Sequence, residues 1–170
     1  LAGSVTGSGI KEYNNEVTIT ADTNPGYTFI GWYNGEDLIS TLATYTFNMP
    51  ATNLNYEAKW QANQNTLSFE GNGGVGEMSS VLVETNETIS LPKNTFTREG
   101  YTFVGWSTSI DGSVDYVDEA SYTMGVLTSY TLYAKWAQMY EYFTIDNMTY
   151  VYYGTYPQTV VDDSSLISSL

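Results

Sequence analysis

The sequence predicts a mainly β protein built from two small β-rich modules in tandem, with little helix. Three observations predict this fold class: a duplicated motif, a two-residue alternation of apolar and polar side chains, and turn residues between the alternating stretches. The motif GYTFIGW occupies residues 26–32 and is followed by AKW at residues 58–60. It recurs as GYTFVGW at residues 100–106, followed by AKW at residues 134–136. A period of about 75 residues that carries both an opening and a closing motif indicates two copies of one unit.

The strands are predicted from alternation at matching places in both repeats. Val17, Ile19 and Ala21 alternate with threonines in the first repeat, and Ile89 and Leu91 stand at the matching positions of the second. Near the end of each repeat the apolar positions are Leu54, Tyr56, Ala58 and Trp60, then Tyr130, Leu132, Ala134 and Trp136. Period two with β-branched and aromatic residues is typical of half-buried strands. Because the alternation keeps its parity, we expect both repeats to bury the same face.

Turn residues separate the predicted strands. In the first repeat they are Gly7-Ser8-Gly9, Asn14-Asn15, Asn24-Pro25-Gly26 and Asn34-Gly35; in the second they are Gly71-Asn72-Gly73-Gly74, Asn86-Glu87, Arg98-Glu99-Gly100 and Asp111-Gly112. Asn-Gly and Asp-Gly pairs supply the positive φ angles of tight hairpins. No stretch shows sustained helical periodicity, and the best helix candidate is the short segment 162–167, with Asp163 or Ser164 as its cap.

The composition narrows the function classes. The chain has 19 acidic and five basic residues, a formal net charge of -14, and neither Cys nor His. This charge repels phosphate backbones and anionic bilayers, so we expect no nucleic-acid partner. No apolar run is long enough for membrane insertion and no signal peptide is present, so we expect a fragment of a longer precursor. The acidic, Thr-, Asn-, Ser- and Tyr-rich composition favours an exported surface protein of Gram-positive type.

The repeats divide the chain into three predicted segments: a first module at 1–61, a second at 66–137, and a third, truncated domain that begins at 138–170. The links at 61–65 and 137–139 are short and contain neither Gly nor Pro, which predicts limited swing and a semi-extended array. In the last segment we predict strands at 142–146 and 149–154, continued by 155–161. Being incomplete, this segment is expected to pack on the second repeat, to pair with another chain, or to stay partly mobile.

The two motifs resemble the bacterial surface repeats related to the internalin B-repeat, called Listeria-Bacteroides repeats. The second repeat is the closer match, through residues 67–74, 91–100 and 132–136, while the first resembles the divergent form through its Gly-rich segment 3–9. The resemblance covers about residues 1 to 137. It implies a β-grasp-like or related module, found in tandem in secreted or wall-attached proteins as a stalk or interaction module without catalytic residues. The pattern Tyr-Gly-x-Tyr-Pro-Gln at 153–158 resembles the start of an uncharacterised domain that accompanies such repeats.

Catalytic and metal sites find little support in the residues. Without His or Cys, a hydroxyl nucleophile has no imidazole base, and the common acyl-transfer sites are excluded. A carboxylate pair for glycoside hydrolysis is arithmetically available, but Asp111, Asp115, Asp118 and Glu119 fall in a predicted turn region and are expected to be solvated. The same four residues do not match the EF-hand spacing, and the first repeat lacks the cluster. We therefore expect that the segment is not an enzyme and that it binds neither a metal ion nor a cofactor.

Aromatic residues leave a carbohydrate-binding alternative open. We expect the tryptophans to pack in the core, because Trp60 and Trp136 share the apolar parity and Trp32 and Trp106 follow glycines that allow close backbone approach. The signature residues, expected to be structural, are Gly26, Tyr27, Phe29, Gly31, Trp32 and Trp60, with Gly100, Tyr101, Phe103, Gly105, Trp106 and Trp136. Off-parity tyrosines such as Tyr33, Tyr133 and Tyr152 are the better candidates for stacking on sugar rings.

An isopeptide cross-link is the last chemical alternative. Stalk domains can join a buried Lys to an Asn, but Lys59 and Lys135 lie on the polar parity of their strands and are expected in solvent. The sequence thus predicts a non-enzymatic stalk or spacer of an extracellular, cell-wall-associated or secreted protein. We expect its partner to be a protein or glycan at a surface, and carbohydrate binding through exposed aromatics is the alternative function.

Overall fold

The computed structural model describes residues 1–145 and 148–153, and the side chains of residues 1–139. The strands in this part of the chain are β1 (Gly3–Thr6), β2 (Glu16–Thr23), β3 (Tyr27–Asn34), β4 (Asp37–Ser40), β5 (Thr44–Asn48), β6 (Glu57–Ala62), β7 (Gln64–Glu70), β8 (Val81–Glu84), β9 (Thr88–Ser90), β10 (Tyr101–Ser107), β11 (Ser121–Thr123), β12 (Ser129–Gln138), β13 (Tyr140–Ile145) and β14 (Met148–Tyr153). No helix occurs among these residues, so the predicted mainly β class is confirmed.

The predicted helix at 162–167 and the continuation at 155–161 lie outside the described residues. Among residues 1–145 and 148–153, no helix has the length and apolarity needed to cross a membrane. The predicted strand pair of the last segment is present as β13 and β14, which join antiparallel from Tyr140 opposite Tyr153 to Ile145 opposite Met148.

The strands form several small sheets. Their orders are β1-β2-β5 and β4-β3-β6 in the first repeat, β10-β12-β7-β8 and β11-β9 in the second, and β13-β14 after it. The pairs β1-β2, β2-β5, β3-β4, β3-β6, β7-β8 and β10-β12 are antiparallel. The β-grasp-like arrangement stays a prediction.

Two compact units account for the chain, and they do not follow the boundary between the repeats. The first comprises Leu1–Leu67, Ser80–Ile89 and Ser121–Tyr130, and the second comprises Ser68–Ser79, Ser90–Ala120 and Thr131–Leu170. The first unit therefore contains the whole first repeat together with three pieces of the second.

The alternation correctly identified much of the core. In the first unit Val17, Ile19 and Ala21 of β2 are buried with Trp32. In the second unit Leu132 and Ala134 of β12 are fully buried. The apolar face of each repeat is therefore the face that the parity predicts.

A β-bulge at the same place in β3 and β10 explains the spacing of the signature aromatics. Phe29 pairs with Trp60 and Gly31 pairs with Lys59, so one extra residue lies between them in β3. Residues three apart in a regular strand point to opposite faces, and the bulge brings Phe29 and Trp32 to the same face. Their ring centroids are 5.9 Å apart, edge to face. In β10 the corresponding rings of Phe103 and Trp106 are 5.0 Å apart.

The closing motif Ala-Lys-Trp is complementary to this bulge. Ala58 lies opposite Trp32 in the register and Trp60 lies opposite Phe29. Ala134 and Trp136 take the same positions opposite Trp106 and Phe103. The alanine side chain is small enough to leave room for the facing indole, while the tryptophan two residues later packs on the phenylalanine.

The opening glycine of each motif sits in a tight turn. The Tyr27 N–H donates to the Asn24 carbonyl oxygen at 3.3 Å, and the Tyr101 N–H donates to the Arg98 carbonyl oxygen at 3.1 Å. The third residue of each turn has a positive φ, 85° at Gly26 and 74° at Gly100. The predicted bends at Asn24-Pro25-Gly26 and Arg98-Glu99-Gly100 are thus confirmed, and glycine is required for the backbone conformation.

Candidate functional site

The four signature tryptophans fall into two classes. Trp32 is 3% exposed and Trp106 is 0% exposed, whereas Trp60 and Trp136 are only half-buried. Both half-buried indoles are nevertheless anchored: Trp60 Nε1 donates to Thr23 Oγ1 at 3.0 Å, and Trp136 Nε1 donates to the Gly71 carbonyl oxygen at 2.8 Å. The predicted core packing holds for the buried Trp32 and Trp106, and Trp60 packs against the buried cluster of the first repeat while staying partly exposed.

Two of the tyrosines proposed to stack on sugar rings are partly covered by other parts of the chain. Lys59 Nζ lies 4.6 Å from the centroid of the Tyr33 ring, a cation–π contact that covers one face. Tyr133 is half-buried. The side chain of Tyr152 lies outside the described residues. These contacts leave fewer free aromatic faces than the tyrosine content suggests.

The acidic residues of the turn region cap the backbone. Asp115 Oδ2 accepts hydrogen bonds from the Thr108 N–H at 2.7 Å and from Thr108 Oγ1 at 2.9 Å, and Asp118 Oδ1 accepts from the Asn94 N–H at 2.9 Å. The Thr108 N–H, followed by the Thr108 hydroxyl, lowers the pKa of Asp115. Among the described residues, no three acidic side chains lie close enough together to hold a metal ion.

Lys135 has a hydrogen-bond partner on the chain. Its Nζ donates to the Ile110 carbonyl oxygen at 2.7 Å, and Asn72 Nδ2 donates to the same oxygen at 3.3 Å. The amine and the amide thus share one acceptor. An isopeptide bond requires the amine to reach the amide carbon of an Asn, whereas here the amine donates to a backbone carbonyl oxygen.

A cluster of hydrogen-bonded polar groups lies where the first repeat meets the second, inside the first compact unit. Asn63 is the single residue between β6 and β7. Its N–H donates to the Gly26 carbonyl oxygen at 2.8 Å, its carbonyl oxygen accepts from the Thr85 N–H at 2.9 Å, and its Oδ1 accepts from Thr28 Oγ1 at 2.7 Å. Thr28 and Gly26 belong to the opening motif of the first repeat, whereas Thr85 belongs to the second. We call this cluster, with Asn65, the joint.

Buried groups complete the joint. Asn65 is 1% exposed, and its Nδ2 donates to Thr85 Oγ1 at 2.9 Å and to the Asn63 carbonyl oxygen at 3.2 Å. A Cβ at Gly26 would lie 2.6 Å from Thr85 Cγ2, so the absence of a side chain at Gly26 permits the contact. Asn86 Nδ2 donates to the Tyr27 hydroxyl at 2.9 Å. Separating the repeats would break the hydrogen bonds of Asn63 to Gly26 and Thr28 and that of Asn86 to Tyr27.

The same backbone arrangement begins again after the second repeat. Met139 is the single residue between β12 and β13, and its N–H donates to the Gly100 carbonyl oxygen at 2.8 Å. Gly100 is the counterpart of Gly26 in the motif. The opening glycine of each repeat therefore accepts the hydrogen bond of the residue that leads out of that repeat.

Sequence reasoning missed the joint. It placed residues 61–65 in a link and gave Asn63, Asn65 and Thr85 no role. One signal was available: Asn65 has the same parity in β7 as Leu67 and Phe69, and all three are buried. An amide on the apolar face of a strand requires hydrogen-bond partners inside the protein.

Comparison with known proteins agrees with this geometry. Residues 2–64 match the divergent InlB B-repeat domain, and residues 66–135 match the Listeria-Bacteroides repeat domain. The chain carries these two repeat domains in tandem. The junction between the matches falls at the joint, since β7 begins at Gln64.

Three curated relatives are similar to the chain. Internalin H of Listeria monocytogenes is 30% identical over 118 residues, covering 68% of the chain and 21% of the relative. Two proteins of Evansella cellulosilytica are 32% and 30% identical over 131 and 136 residues, covering 74% and 71% of the chain, and both are provisionally named membrane proteins. The chain spans 15 to 21% of the length of these relatives. No solved structure matches it.

Proposed function

We propose that this segment is a non-enzymatic spacer of an extracellular protein, secreted or associated with the cell wall, that holds neighbouring domains at a fixed orientation. The joint carries the proposal. One residue separates β6 from β7, and hydrogen bonds from both repeats converge on it. A flexible linker would need neither the buried amide of Asn65 nor the close approach of Gly26 to Thr85.

Two further observations support the proposal. The backbone bond to the motif glycine recurs at Met139, so the connection is a property of the repeat. The matched domains are named as repeats, and one relative is named an internalin. We propose as a secondary role that the segment contacts a protein or glycan at the surface, for which the acidic charge limits indiscriminate association.

The test is the width of a distance distribution across the joint. The chain has no cysteine, so cysteines introduced at the exposed residues Glu36 and Glu87, both in the first unit, can be spin-labelled specifically. We expect a narrow distribution in the parent chain and a clearly broader one in Thr85→Val, which keeps the volume but removes the hydroxyl. Thr88→Val is the matched control, because its hydroxyl pairs with Thr123 at 2.8 Å in the same unit but away from Asn63.

A broad distribution in the parent chain would contradict the spacer proposal. An equal broadening by both valine variants would show that the joint hydrogen bonds do not set the orientation. Retention on a glycan array, lost in a variant of normal melting temperature, would favour the carbohydrate-binding alternative instead.

A further inference from the structure

The first and last strands of the second repeat lie side by side. β7 opens the repeat directly after Asn63, and β12 closes it directly before Met139. In the sheet order β10-β12-β7-β8 these two strands are neighbours in the middle, with β10 and β8 on the outside. The intervening chain, residues 71–128, therefore leads from one strand of a pair to the other.

The two strands run in the same direction. Near their starts, the Thr66 N–H donates to the Thr128 carbonyl oxygen at 3.0 Å. Farther along, Asn72 Nδ2 donates to the Ala134 carbonyl oxygen at 3.0 Å. The contacts thus advance from residue 66 to residue 72 on one side and from residue 128 to residue 134 on the other. β7 and β12 are therefore parallel, and the long connection between them is the kind that parallel neighbours need.

Side chains connect the far ends of the pair in both directions. Asn72 stands two residues after the end of β7, and its amide reaches the backbone of β12 at Ala134. From β12, Trp136 Nε1 donates to the Gly71 carbonyl oxygen at 2.8 Å. Sliding β7 along β12 would therefore break these two side-chain hydrogen bonds together with the backbone bond at Thr66.

The middle of the pair carries buried apolar side chains. They are Leu67 and Phe69 in β7 and Leu132 and Ala134 in β12. On its other side β12 is paired antiparallel with β10. Hydrogen bonds in such apolar surroundings are stronger than those exposed to water, so both neighbours of β12 hold it firmly.

A force that separates the two ends of the repeat pulls parallel neighbours past each other along their length. All hydrogen bonds between β7 and β12 are then loaded at once, whereas a force on two neighbouring ends breaks the bonds one after another. We propose that the β7–β12 pair is a clamp that resists unfolding of the second repeat when the chain is under tension. The inference rests on the proposed spacer function for the source of the tension, since a spacer transmits force between the domains that it separates.

The test is single-molecule force spectroscopy of the intact chain in two pulling directions. The chain has no cysteine, so the pulling handles can be attached specifically to cysteines introduced at exposed positions. Gln64→Cys with Gln138→Cys pulls the start of β7 against the end of β12 and shears the pair. Gln64→Cys with Ser129→Cys pulls the two starting ends apart and unzips the pair. At equal loading rates we expect the shearing force to be at least about twice the unzipping force, because several interstrand hydrogen bonds must break together.

Two glycine variants test the location of the clamp. Asn72→Gly removes the amide that donates to Ala134, and Asn86→Gly removes an amide that donates outside the β7–β12 pair, to the Tyr27 hydroxyl. Both asparagines have a positive φ, 46° and 65°, which glycine adopts without strain.

We expect Asn72→Gly to unfold about fivefold faster than the parent chain at a fixed shearing force, as the loss of one hydrogen bond implies. Its rate at a fixed unzipping force should change less, because unzipping begins at the opposite ends of the strands. Asn86→Gly should leave the ratio of the shearing and unzipping rates as it is in the parent chain. Circular dichroism confirms that each variant is folded, and the two pulling directions in the parent chain decide the matter if a variant is not.

Equal forces in the two directions, or a lower shearing force, would overturn the proposal. It would also be overturned if Asn72→Gly raised both rates by the same factor, or if Asn86→Gly shifted their ratio as Asn72→Gly does. The spacer function fails by a different result, a broad distance distribution across the joint. A broad distribution with a high shearing force would contradict the spacer but not the clamp, and a narrow distribution with equal forces would contradict the clamp alone.

Discussion

Trp106→Ala is the substitution that most directly tests the packing of the second unit. The side chain is fully buried, and its ring lies within 5.0 to 6.3 Å of the rings of Phe69, Phe96 and Phe103. Deleting a core tryptophan costs about 3–5 kcal/mol, a large part of the stability of a small domain. At about 4–8 °C per kcal/mol for a unit of this size, the melting temperature should fall by roughly 12 to 40 °C.

A conservative variant separates ring packing from hydrogen bonding. Trp106 Nε1 is buried and has no hydrogen-bond partner among the described residues, whereas Trp32 Nε1 donates to the Ala43 carbonyl oxygen at 3.2 Å. Trp106→Phe keeps an aromatic ring and removes a donor that has no hydrogen bond. Trp32→Phe keeps a ring too, but it removes the hydrogen bond to the Ala43 carbonyl oxygen. We therefore expect Trp32→Phe to be the more destabilising phenylalanine variant, by about 1 kcal/mol.

Thermal denaturation followed by circular dichroism measures these differences. Amide hydrogen exchange in β12 reports on the second unit, and exchange in β2 serves as the reference from the first. If Trp106→Ala melted like the parent chain, the indole would not be a core residue. If Trp106→Phe were as damaging as Trp106→Ala, the argument from the unpaired N–H would fail.

Three further outcomes follow from the second repeat. Gly105→Ala should destabilise by at least about 2 kcal/mol in chemical denaturation, because φ is +144° and a Cβ would lie 2.5 Å from the Tyr116 carbonyl oxygen. Ala134→Leu should lower the free energy of unfolding by about 1–3 kcal/mol in the same assay, since it adds volume at a fully buried position opposite Trp106. An unchanged denaturation midpoint for either variant would contradict the packing described here. Because folding lowers the pKa of Asp115, its ionised carboxylate stabilises the folded state at pH values above the unfolded pKa near 3.8. This stabilisation is lost as the pH falls through the lower pKa of the folded state. Asp115→Asn should therefore weaken the pH dependence of the free energy of unfolding in the acid range. An unaltered pH dependence would refute the role of Asp115.

Strand parity could be predicted from the sequence because one buried face imposes a period of two. Val17, Ile19 and Ala21 follow that rule, and all three are buried. The bulge in β3 could not be predicted in this way, since an extra residue breaks the period. Its trace is the three-residue spacing of Phe29 and Trp32, which a regular strand would place on opposite faces.

The joint depends on pairings that a single sequence does not display. Asn63 acquires its role from Gly26 and Thr85, which are distant in sequence, and hydrogen bonding between remote backbone groups leaves no compositional mark.

The opening motif performs structural tasks that are usually assigned to separate segments. Its glycine makes the turn, its aromatic residues build the core around the bulge, and the glycine carbonyl oxygen accepts the N–H of the residue that leads out of the repeat. Asn63 is the single residue that connects β6 to β7, and these hydrogen bonds hold it in place. Because the same residues stabilise the repeat and fix its connection, a repeat that unfolds also loses its joint. Core stability and the orientation at the joint are then coupled, as the proposed spacer role requires.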